Sequence, residues 1–249
     1  MRQNDSPKWL TAVVADAGGR IFDLPGYAAV GMAGEELTPL TREQTIGVPF
    51  GSELMYLPDR VPVLLNLAGG DLEEVPDNPC SPGEPIFPVA VFNSPGHVIT
   101  QVSAYRERPR ARSLPLFSYG AVGWQGGKFR SAAVVVDREP RQDLRRMPLA
   151  DVKAGVRALR KRMPQNRLRL HLETCALTYG CPAGKNFFLG RYEAPLPTAV
   201  TCNARCLGCL SLQKGSGISC TQERIAFVPS AEEIAEVALF HIGRVKRAV

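Results

Sequence analysis

Cys202, Cys206 and Cys209 are the residues of this chain best suited by type and spacing to do chemistry. The run Cys202-Asn203-Ala204-Arg205-Cys206-Leu207-Gly208-Cys209 sets three thiolates at intervals of x3 and x2. Three thiolates on one short loop can wrap a cuboidal iron–sulfur cluster, satisfy three of its irons and leave the fourth open. A ferredoxin closes all four sites with cysteine and only moves electrons. An open iron can instead chelate a small molecule and pass an electron into it. Two other uses of the same thiolates stay open. Cys220 as fourth ligand would close an electron-transfer cluster, and Cys181 or Cys220 could complete a structural zinc site. Zinc usually draws its ligands from two short pairs, and Cys175-x5-Cys181 is the only other closely spaced pair. Cys175, Cys181 and Cys220 could also hold an auxiliary cluster or serve as free or packing thiols. Cys80, in Pro79-Cys80-Ser81-Pro82-Gly83, stands alone and reads as a loop thiol.

The setting of these cysteines narrows the choice. Of seven cysteines in 249 residues, six lie between Cys175 and Cys220. An odd number, without an N-terminal secretory stretch, argues against a disulfide framework and for metal or redox chemistry in a reducing compartment. No apolar run approaches the roughly 18 residues that span a bilayer, so a cytoplasmic protein with no membrane contact is expected. Net charge is +6 but uneven: residues 1–100 carry 5 basic and 13 acidic side chains, and residues 101–170 carry 17 and 5. A block so basic could follow a phosphate backbone. Few aromatics interleave it, and a solvated or internally paired face explains it better, so nucleic acid is not expected as a partner.

The elements that must position the cysteines follow from periodicity and punctuation. Short apolar runs at Trp9–Ala15, Val61–Leu67, Ile86–Phe92 and Ala132–Val136 alternate with Gly and Pro turn signals, which predicts a small sheet or barrel over residues 1–136. Gly123-Trp124-Gln125-Gly126-Gly127 reads as a turn before a strand, with no helix behind it to make a phosphate loop. Asp137–Pro148 is charged and reads as a linker. Val152, Val156, Leu159 and Met163 predict a helix over Leu149–Met163, stopped by Pro164. Leu168, Leu170 and Leu172 alternate with charged residues and predict a half-buried strand, with His171 on its polar face. A short strand at Thr198–Thr201 leads into Cys202. Ser230 and Glu233 form a capping box for a last helix, with His241 on its apolar stripe as a packed residue.

The form Cys-Asn-x-Arg-Cys-x-x-Cys after a strand resembles the signature of radical S-adenosylmethionine enzymes, in the branch holding molybdenum-cofactor and peptide-modifying members. The likeness covers roughly residues 195–249. It implies a 4Fe–4S cluster on Cys202, Cys206 and Cys209 that sends an electron to the sulfonium of S-adenosylmethionine. The resulting 5′-deoxyadenosyl radical would abstract a hydrogen from a substrate that the sequence does not name. A reductant protein such as a flavodoxin or ferredoxin is the implied partner. The implied fold is a (β/α) barrel whose first strand is Ala199–Thr201 and whose first helix starts at Ser230, after a long connection, Leu210–Pro229.

This chain departs from that pattern in two places. Gly208 stands where many members carry an aromatic beside the adenine, leaving that contact to Leu207 or Leu210. The glycine-rich acidic segment that binds the methionine amino group is also missing, since 40 residues follow Cys209 and a barrel needs about 200. The expectation is therefore a mixed α/β chain in three parts: a β-rich N-terminal domain (1–136), a linker, helix and strand connector (137–194), and the first β-loop-α unit of an incomplete barrel (195–249). The alternative from a different class is a zinc-stabilised binding module contacting nucleic acid or a protein.

Overall fold

In the computed structural model, residues 8–114, 118–204, 206, 209, 211 and 222–245 are described. They divide into two compact units, one ending at Asp137 and one beginning at Arg138.

The first unit is a curled antiparallel sheet, half of a barrel. Its central strand β1 (Thr11–Asp16) pairs with β2 (Ile21–Ala28) on one side, and with the Ser81–Phe92 and Gly120–Gln125 strands on the other. Successive side chains of a strand point to opposite faces. Ala12 and Val14 accordingly join Leu24, Leu64, Val75 and Ile86, while Val13 and Ala15 join Val89, Val91 and Val122. Both faces of β1 are covered, which is why the sequence shows an apolar run there and no alternation. Gly126 and Gly127 both take left-handed backbone and turn the Gly120–Gln125 strand into Lys128–Ser131, where Trp124 and Phe129 meet edge to face at 4.7 Å. Arg60 is fully buried here, bonded to Glu107 (2.7 Å) and to the Pro58 carbonyl (3.0 Å).

The second unit is helical: α1 (Leu149–Arg162), α2 (Arg167–Leu177), α3 (Pro182–Leu189) and α4 (Ala231–Ile242). Val152, Val156, Leu159 and Met163 of α1 and its end meet Leu168, Leu172 and Ala176 of α2, Phe187 and Phe188 of α3, and Val237 of α4. Gly155 lets α1 and α3 touch through their backbones, because a Cβ there would run into the Phe188 carbonyl oxygen. Ser230 caps α4 as its sequence predicts: its Oγ accepts from Glu233 N (3.2 Å), and its own N–H donates to Glu233 Oε2 (2.8 Å).

The barrel expectation is overturned in this unit. No described residue of it lies in a strand; the described residues of the stretch expected to open a (β/α) barrel are irregular up to α4, which packs on α2. Thr198–Thr201 is exposed and irregular. It is short, and Pro195 and Pro197 just before it lack the N–H donors a ladder needs. The strand expected over Leu168–Leu172 is the front of α2. Leu168, Leu172 and Ala176 are one helical turn apart and buried, whereas Leu170 points away and is 54% exposed. Asn166 starts the helix by accepting from Arg169 N (2.8 Å). Apart from Thr174 the segment has no β-branched residue to favour extension.

Candidate metal centre

Leu168, Leu172, Phe187 and Ile225 share the core of the helical unit, and Ile225 is 3% exposed. Burying Ile225 ties down the stretch that precedes it, and three polar side chains of that stretch then reach the cysteine-bearing segments. Gln222 Nε2 donates to Cys175 Sγ (3.9 Å), and Tyr179 Oη to Glu223 Oε2 (3.4 Å). Arg224 Nη2 donates to Cys209 Sγ (3.9 Å), and Cys202 lies near enough to act on the same guanidinium. These two sulfurs, Cys209 foremost, hold the Arg224 pKa above its ordinary value.

Two of the three sequence-predicted ligands are thus gathered near one guanidinium. Cys202 and Cys206 are exposed, and Cys209 is half-buried. They do not converge: among the described residues no three His, Cys, Asp or Glu side chains form a group that could hold a metal ion. The chemistry of the donor set nevertheless fits an iron–sulfur cluster or zinc, since three thiolates are soft ligands for both. Their described positions belong to no helix or strand, so closing on a metal would break no backbone ladder, and metal binding is commonly coupled to such local ordering. Arg205, Leu207, Gly208, Leu210 and Cys220 lie outside the described residues, and with them the expected adenine contacts and Cys220 as a fourth thiolate.

Arg224 and Gln222 escaped the sequence analysis because Gln222-Glu223-Arg224-Ile225 carries no periodic signal. His171 escaped for a different reason. Assigned to a strand that ends before Cys175, it lies about 13 Å along the chain from it; on α2 it lies one turn before it, with Nε2 3.5 Å from Cys175 Sγ. Burial lowers the His171 pKa, and desolvation chiefly pushes the Cys175 thiol up to about 11. Cys80 is exposed in the first unit, its N–H donating to Asn78 Oδ1 (3.0 Å). His241 is 3% exposed and stacks at 5.9 Å from Phe187.

Comparison with protein-family models, with curated proteins and with solved structures finds no match for this chain. No helix among the described residues is long and apolar enough to cross a membrane.

Proposed function

We propose that Cys202, Cys206 and Cys209 ligate a 4Fe–4S cluster and that the chain acts in radical S-adenosylmethionine chemistry. The observation that carries the proposal is the C-x3-C-x2-C spacing, on cysteines whose described positions lie in irregular chain, with Cys209 already drawn to Arg224. Each of the three cysteines would hold one iron, and the fourth iron would face S-adenosylmethionine. When bound, the cluster supplies the electron that cleaves the sulfonium, with a flavodoxin or ferredoxin as its source. Arg224 stands near Cys202 and gives the Cys209 sulfur a charged N–H donor, a contact that orients ligands and tunes a centre. The proposal does not require a barrel, and the helical unit around Ile225 is the scaffold that carries Arg224.

Anaerobic reconstitution with iron and sulfide should yield an oxygen-sensitive brown protein holding about four irons per chain. Cys206→Ala should lose it and Cys80→Ala should keep it. Zinc as the sole stoichiometric metal after anaerobic expression without added metals would sink the proposal and leave the zinc-stabilised binding module in its place.

A further inference from the structure

Cys175 and Cys181 flank the turn between α2 and α3, and their backbones are joined there. Past the end of α2, Gly180 takes left-handed backbone and the chain doubles back, so that Cys181 N donates to the Cys175 carbonyl at 2.9 Å. With ordinary bond lengths this contact holds the two Cα atoms within about 6.8 Å of each other. A disulfide needs Cα atoms about 4.4 to 6.8 Å apart, so the turn satisfies its main distance requirement without moving either helix. The thiols also sense one another's charge.

The two sulfurs sit in unlike surroundings. Cys175 is 3% exposed, faces His171 Nε2 at 3.5 Å and accepts from Gln222. Cys181 is half-buried and stands at the positive N-terminal end of α3, with Lys185 one turn on. An accessible thiol in positive surroundings is the kind that attacks disulfides, while a buried one resolves.

We propose that Cys175 and Cys181 form a thiol–disulfide exchange site, with Cys181 as the attacking thiol, Cys175 as the resolving thiol and His171 as the acceptor of the Cys175 proton. In the first step the Cys181 thiolate attacks one sulfur of a small external disulfide. A mixed disulfide forms and one external thiolate leaves. In the second step the Cys175 proton passes to His171 Nε2 as Cys175 Sγ attacks Cys181 Sγ, the mixed S–S bond breaks, and the second external thiolate leaves. Two protein thiols are oxidised, one external disulfide is reduced to two thiols, and the protons released by the protein end on those thiols. This site shares no residue with Cys202, Cys206 and Cys209, and stands whether or not they hold a cluster.

The test uses the full chain, metal-free under chelator, with excess glutathione disulfide, followed by alkylation and trypsin. Leu170–Lys185 contains Cys175 and Cys181, no other cysteine and no internal tryptic site, so its mass reports this pair alone. The expected peptide carries no alkyl group and has lost two hydrogens. Cys175→Ser should trap glutathione on Cys181. Cys181→Ser should leave Cys175 free of glutathione and open only to alkylation after denaturation. His171→Gln should load glutathione on Cys181 at the wild-type rate but resolve it severalfold more slowly. A wild-type peptide that emerges with both cysteines alkylated, with glutathione persisting on Cys181, or cross-linked to another cysteine would overturn the assignment.

Discussion

At the scale of single residues, Arg224 says most about how the cysteine segment works. A guanidinium is always charged, and its fork can serve two sulfurs at once. N–H donors to cluster thiolates favour the more reduced, more negative state and so raise the reduction potential. Arg224→Gln keeps an N–H donor on a shorter side chain and removes the charge. In reconstituted protein its midpoint potential, followed by a redox titration monitored by electron paramagnetic resonance, should move to more negative values, and Arg224→Lys should move it less. An unchanged potential in Arg224→Gln would reduce the contact at 3.9 Å to a feature of the metal-free segment. The cysteines themselves were legible from spacing alone, because thiolate chemistry depends on residue type and interval. Their partner was not, since Arg224 reaches them only through the burial of Ile225, and one apolar residue in a polar stretch gives no pattern to read.

At the scale of elements, legibility follows how much of each pattern is local. The capping box of α4 was readable because Ser230 and Glu233 are three residues apart and each bonds the other's backbone. The α2 segment was misread because Leu168, Leu170 and Leu172 satisfy a strand period, while the evidence for a helix lies in Ala176 and in a buried ion pair. Glu173 binds Arg169 one turn earlier (2.7 Å) and Arg160 of α1. Glu233 does a comparable job at the start of α4. Its carboxylate caps the helix and pairs with Arg167 of α2 (2.8 Å), and these bonds, Arg167 first, lower its pKa from 4.5 to about 2. A carboxyl more acidic in the folded state stabilises fully above pH 4.5, and that contribution fades as the pH falls toward 2. Arg167 is 54% exposed, so solvent screens the pair and the gain is small. Glu233→Gln should therefore lower the chemical-denaturation midpoint at pH 7 and leave it nearly unchanged at pH 2. An equal cost at both pH values would remove the charge from the explanation.

At the scale of the whole molecule, the basic block 101–170 is where sequence and space part company. The block crosses the division between the two units after Asp137, so its 17 cations are shared out between the two units. Several are engaged within their own unit: Arg106 with Glu74, Arg112 with Asp59, Arg145 with Asp143, Arg160 and Arg169 with Glu173, and Arg167 with Glu233. Arg130 is 8% exposed and is held by Thr45 Oγ1 (2.9 Å). Of the exposed cations on α1, Lys153, Arg157 and Lys161 follow one another at intervals of four as a short ridge, while Arg160 is paired with Glu173 and Arg162 lies off the ridge. If all three met phosphates on a duplex, counterion release would give a salt slope of only about −2.7, against about −10 for a tight specific binder. Titration of labelled RNA and duplex DNA at several salt concentrations should therefore show binding weaker than micromolar at about 0.15 M salt, where screening acts over roughly 8 Å. Submicromolar binding at that salt, abolished by an Arg157→Glu, Lys161→Glu double variant, would instead make the α1 ridge a nucleic-acid contact. The substrate of the proposed radical chemistry would then be sought among nucleic acids.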